Sequence, residues 1–124
     1  MSVDDARDPL TQRILAAAFE VSNSLGHGFL ESVYQRALAH ELALAGLSVE
    51  REKSFRIIYK EAEVGIYAAD LIVNGQVIVE LKSVDALGSA HTAQCLNYLK
   101  ASDIKIGLLI NFGRPRIEYK RLVL

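Results

Sequence analysis

Two apolar runs, Ala69-Asp70-Leu71-Ile72-Val73 and Val77-Ile78-Val79-Glu80-Leu81-Lys82, are hydrophobic enough for burial on both faces, yet three ionisable groups interrupt them. Burying a charge is costly unless it is paired or holds a metal. A structural ion pair would need only one carboxylate, Asp70 or Glu80, beside Lys82. Two carboxylates and an ammonium exceed that need, so the fold has to bring them together at a place where the charge is used.

The pattern also says how they meet. Glu80 and Lys82 are two apart in one strand and share a face. Asn74-Gly75 lies between the runs and reads as a hairpin. A two-residue turn there would set Asp70 opposite Val79, on the wrong face. A three-residue loop, Val73-Asn74-Gly75 with Gly75 left-handed, pairs Ile72 with Gln76 and sets Asp70 opposite Ile78. The bulged register is the one expected, because it puts Asp70 on the face of Glu80 and Lys82.

The rest of the chain supplies the frame. Pro9, Leu10, Ile14, Leu15, Ala18, Phe19 and Val21 trace an amphipathic helix that stops near Gly26 and Gly28. A second helix is expected from about Leu30 to Ala45, with Leu30, Val33, Tyr34, Ala37, Leu38, Leu44 and Ala45 as its apolar stripe and Gly46 as its stop. The period then changes to two. Residues 49–60, 64–73 and 77–84 read as extended, residues 89–100 as a third helix, and residues 104–111 and 117–123 as closing strands. The order α-α-β-β-β-α-β-β predicts an α/β domain built on a small mixed sheet with helices on its faces. At 124 residues and 51% hydrophobic, the chain suits one domain over 1–124 and excludes general disorder.

The set has a chemical use. Mg²⁺ and similar hard cations take oxygen ligands, commonly one or two carboxylates with waters and substrate phosphate. Asp70, Glu80 and the carbonyl of Leu81 suit such an ion. A metal there would lower the pKa of bound water, while Lys82 orients that water or steadies charge developing on phosphate. That is phosphodiester hydrolysis.

Asp70 with Glu80-Leu81-Lys82, on consecutive strands between helices, resembles the PD-(D/E)XK nuclease superfamily. Within it, the chain is similar to the proteins named for the GxxExxY motif. Gly28-Phe29-Leu30-Glu31-Ser32-Val33-Tyr34 carries that motif, and Gln94 to Tyr98 and Gly107-Leu108-Leu109-Ile110-Asn111-Phe112-Gly113 carry two more. The likeness spans roughly residues 10–122. It implies a restriction-endonuclease-like core, α-β-β-β-α-β, with an extra N-terminal helix and C-terminal strand. It implies Asp70 and Glu80 as ligands of Mg²⁺, or of Mn²⁺, and Lys82 as the catalytic lysine. Glu31 corresponds to an additional acidic residue and Gln94 to the glutamine of the downstream helix. Ala69 stands where the superfamily often has proline.

Each residue also has a plainer explanation. Glu31 complements the dipole of its helix start, although it lies at the edge of the buried side. Tyr34 reads as a core aromatic with a bonded hydroxyl, and Cys95 as a small buried hydrophobe. His91, Gln94 and Tyr98 share one helical face, and a packed polar seam would explain them as well as a site would. His27 and His40 read as surface groups. With one cysteine and no histidine at ligand spacing, zinc is disfavoured.

The net charge of -1 excludes recruitment of nucleic acid through bulk charge. It hides an asymmetry, because residues 99–124 hold six basic side chains against two acidic ones. That basic edge is the expected resting place of a substrate backbone. The leading expectation is a Mg²⁺-dependent nuclease acting on nucleic acid, DNA first. A binding or accessory module with little turnover, and a structural or interaction domain, are the alternatives. So small a domain has no separate recognition module, which leaves a homodimer or a protein partner as sources of specificity. The lone cysteine suits a cytoplasmic setting. No apolar run approaches a membrane span, and an acidic start (Asp4, Asp5, Asp8) is unlike a signal peptide.

Overall fold

The computed structural model describes residues 2–4 and 8–124, the first three by their backbone. Asp5, one of the acidic residues near the start, lies outside them. Helix α1 covers Pro9–Leu25, where proline occupies the first turn and Asp8 caps it by accepting from Thr11 N at 2.9 Å. That N–H, above all, holds the Asp8 carboxyl below its ordinary range. Gly26, at φ 74°, ends the helix. Helix α2 covers Glu31–Leu44 and α3 covers Ser89–Ser102.

Strand β1 (Ser2–Asp4) precedes α1, and β2 (Val49–Tyr59), β3 (Ala62–Val73) and β4 (Val77–Lys82) follow α2. Strands β5 (Ile106–Asn111) and β6 (Glu118–Val123) close the chain. They form one six-stranded sheet in the order β1-β6-β5-β4-β3-β2. Among the described residues only β4 and β5 run parallel, and α3 makes the crossover between them. Helices α1 and α2 cover one face over a core that includes Ile14, Leu38, Leu71, Val79 and Ile110. Helix α3 covers the other over Tyr67, Ile72, Ile78, Cys95 and Leu99. The expected α/β architecture is the observed one, with β1 as an additional strand beside β6.

Two expectations are corrected. The first concerns α2, whose buried line is Tyr34, Gln35, Leu38 and Leu42. Leu30 is 77% exposed, Leu44 is 69% exposed, and Val33 also faces outward. Helix α2 packs against α1 and against β2, β3 and β4, and it buries the line that faces them.

The second concerns the hairpin. Its loop has three residues, but they are Asn74-Gly75-Gln76, with Val73 paired to Val77 and Ile72 to Ile78. Both Asn74 (φ 52°) and Gly75 (φ 64°) are left-handed, and Gln76 N donates to Val73 O at 3.0 Å. Asn74 also accepts from Ser48 N through its side chain, which moves the turn one residue along. The register thus differs by two from that expected. The ladder stops at Leu71↔Val79, so Asp70 meets β4 through side-chain bonds to Glu80 and Leu81 rather than through strand pairing.

The β2–β3 hairpin closes on a two-residue turn in which Lys60 and Glu61 take φ of 47° and 70°. Left-handed backbone strains residues that carry a Cβ. Glu61→Gly is therefore expected to raise stability by about 0.5–1 kcal/mol, read as a higher urea midpoint at unchanged slope.

Candidate active site

The side-chain alternation of β3 changes phase at Asp70. Tyr67 and Ala69 pack with the α3-side core, Leu71 and Val73 with the opposite core, and Ile72 with α3 again. The ladders break at the same place. On the β2 side the pairing passes from Arg51↔Leu71 to Lys53↔Ala69, skipping Glu52, whose φ is 55°. On the β4 side the ladder stops at Leu71↔Val79.

Carboxylates replace the missing rungs. Asp70 N donates to Glu80 Oε2 at 3.0 Å, and Leu81 N donates to Asp70 Oδ2 at 2.8 Å. Each acid thus satisfies a backbone donor of the other strand, which holds both in the gap between splayed strands. Tyr67 also donates its hydroxyl to Glu80 Oε2, at 2.7 Å. Its ring stacks on Tyr98 of α3 with centroids 3.6 Å apart. From the other layer, buried Gln35 donates to Asp70 O at 3.3 Å.

Electrostatics mark the pair as uncomfortable. Burial, reinforced by the Asp70 carboxylate, pushes the Glu80 carboxyl up to about 7, against the pull of Asp70 N–H, Tyr67 and Lys82. Asp70 is also raised, first by burial and then by Glu31, although Leu81 N–H and Lys82 oppose the rise. Two half-dehydrated carboxylates side by side fit a hard divalent cation, whose charge would relieve both. Glu31, Asp70 and Leu81 line a cavity of about 140 Å³ together with Ser32, Gln35 and Glu52. Among the described residues, no group of three or more His, Cys, Asp or Glu is placed to hold a metal, so any such ion would draw on the backbone or on solvent.

Lys82, Gln94 and Glu31 lie in or beside this region. Lys82 Nζ donates to Gln94 Oε1 at 3.1 Å, joining β4 to α3. Glu31 enters from the start of α2. Its helix is moored by Tyr34, whose hydroxyl donates to Gly26 O at 2.6 Å and whose ring stacks on Phe112. His91 instead serves the helix start, its Nδ1 accepting from Gly88 N. Cys95 is buried, and burial pushes its thiol up to about 12.

Glu52, Tyr67 and Gln35 belong to the region without having been picked out in the sequence. Gln35 follows Glu31 at i+4, which is the one available signal for it. Tyr67 and Glu52 depend on the phase change and the left-handed residue, neither of which the pattern announces.

Three of the six basic side chains of residues 99–124 have partners within the chain. Arg121 is buried and bonds Thr11 Oγ1 at 3.1 Å, Arg114 pairs with Glu118, and Lys105 pairs with Asp103.

A mixed sheet layered between helices, with an aspartate and a Glu-x-Lys on splayed neighbouring strands, defines a restriction-endonuclease-like domain. Residues 8–122 match the family model described as the PD-(D/E)XK nuclease superfamily, and the chain belongs to that superfamily. No curated protein and no solved structure matches it. Among the described residues, no helix is long and apolar enough to cross a membrane.

Proposed function

We propose that residues 1–124 act as one domain that hydrolyses phosphodiester bonds of nucleic acid, DNA first, within the GxxExxY branch of the superfamily and in a reducing cytoplasmic setting. The observation that carries this reading is the reciprocal bonding of Asp70 and Glu80 across splayed strands, with Lys82 beside them. Asp70, Glu80 and the carbonyl of Leu81 are the residues to hold Mg²⁺ or Mn²⁺. Such an ion supplies Lewis acidity and an acidified water.

The chain's own groups do the rest. Lys82, steered by Gln94, places an ammonium where charge grows on the phosphate oxygens. Glu31, which lines the small cavity together with Asp70, is the group to accept a proton from the attacking water. Tyr67 and Gln35 hold the two acids in position.

The test is incubation of the protein with single-stranded, linear and supercoiled DNA, and with RNA, across Mg²⁺ and Mn²⁺ titrations. Cleavage that needs the metal and falls about 100-fold in Lys82→Ala is the expected result. Absence of cleavage with every substrate, together with no metal-induced rise in Tm, would overturn the reading.

A further inference from the structure

The β2–β3 hairpin runs well past the end of β4, and α3 packs beneath it. Between them lies a groove of about 910 Å³ that none of the site residues except Gln94 explains. One wall is apolar, formed by Ile57 and Ile58, which are 38% and 51% exposed. Beside them the pairing of β2 with β3 shifts, leaving Val64 as an extra residue, and such a bulge increases local twist. The floor is α3, which presents Gln94, Asn97 and Tyr98. Arg56 and Lys100 stand in the lining as cations.

We propose that this groove binds an unpaired nucleic-acid strand and delivers it to the carboxylates, making single-stranded segments the substrate class of the site. The inference rests on the hydrolase reading for the delivery, and on the groove's own chemistry for the strand.

A duplex hides its base faces within the stack and shows the protein phosphate, sugar and groove edges. Against a duplex, an apolar wall flanked by cations gains little. An unpaired strand exposes base faces, which apolar and aromatic side chains cover, while its phosphates meet the cations. Asn97, one helical turn from Gln94, offers a donor and an acceptor to unpaired base edges. Arg56 sits 3.8 Å from Glu63, but both side chains are exposed, so a phosphate can replace that weak partner.

Two side-chain contacts link the groove to the acids. Gln94 lines it and bonds Lys82, and Tyr98 lines it and stacks on Tyr67, which bonds Glu80.

The full chain is tested by fluorescence anisotropy in EDTA, with a labelled oligothymidylate and a blunt duplex as probes. The single strand is expected to bind about 10-fold tighter than the duplex. Ile58→Glu and Lys100→Glu should each weaken single-strand binding about 10-fold, since both positions are exposed and the fold is retained. Leu44→Glu, on the outer side of α2, should leave it unchanged.

Equal affinity for the two probes, or an Ile58→Glu protein that binds like the parent, would overturn the groove. So would a dimer that Ile58→Glu disperses while no oligonucleotide binds, which would make the wall a contact between copies. Metal-dependent cleavage that is indifferent to Ile58→Glu leaves the hydrolase and removes the groove. Single-strand binding lost in Ile58→Glu, without any metal-dependent cleavage, leaves the groove and removes the hydrolase.

Discussion

Glu80→Gln is expected to abolish metal-dependent cleavage and, at the same time, to raise the Tm of the metal-free protein above neutral pH. The two effects share one cause. Glu80 is 5% exposed and neighbours Asp70, so its carboxyl is held up to about 7 against an ordinary value of 4.5. Between those values the folded chain keeps a proton that the unfolded chain has lost. Stability therefore falls as pH rises from about 4.5 to about 7, by about 3 kcal/mol in all, and then levels off. Glutamine keeps the acceptor oxygen for Tyr67 and Asp70 N but carries no charge, so the decline should flatten. The gain above pH 7 should be about 2 kcal/mol, or several degrees in Tm.

On the proposed reading the same substitution removes the charge of a metal ligand, and cleavage should fall roughly 1,000-fold or more. Mg²⁺ or Mn²⁺ should raise the Tm of the parent, increasingly as pH climbs through about 7, and should leave the variant almost unmoved. Thermal melts from pH 5 to pH 9, with and without metal, check both halves. A parent whose metal-free stability rose over that range would refute the account.

Gly113→Ala is expected to be the most damaging single-methyl change near the site. A Cβ at Gly113 would overlap the backbone N and O of Val84 and the carbonyl carbon of Ser83. Backbone cannot step aside as a side chain can, so the substitution should cost about 3 kcal/mol or more.

The damage should reach catalysis because of what lies there. Ser83 and Val84 directly follow Lys82, and Phe112 N donates to Lys82 O at 2.8 Å. Buried Asn111 clamps the same loop with all its capacity. Its Oδ1 accepts from Val84 N and Gly113 N, and its Nδ2 donates to Val84 O and Glu118 Oε1. Gly88→Ala is the contrasting control, since a Cβ there meets open space and should cost under about 1 kcal/mol. Urea melts of both variants, beside their cleavage rates, decide it; equal costs would show that the Gly113 contact yields.

Much of this arrangement was legible in the residues. The helices announced themselves through apolar period and through Pro9, Gly26 and Gly46. The acids and Lys82 stood out because charge interrupted runs otherwise fit for burial. The turn at Asn74 escaped because a left-handed asparagine, held by Ser48, moves the loop by one residue without altering the pattern around it. The α2 stripe differs because Leu30, Val33 and Leu44 obey the helical period but stay outside the core. Periodicity reports which residues lie together, whereas burial depends on what packs against them. Glu52, Gln35 and Tyr67 were silent for a related reason. Their part comes from the broken ladder around Asp70, which is a tertiary event.

The change of phase at Asp70 divides one strand into two parts with different obligations. From Leu71 to Val73 the strand answers to the interior, and its side chains are fixed by both cores. Before Tyr67 it belongs to a projecting arm whose Val64 and Ile66 stand largely in solvent. Since the pleat restarts between them, the arm can change length or sequence without turning the inner part over. A change in the hairpin's length or sequence is thus separable from the positions of Asp70 and Glu80.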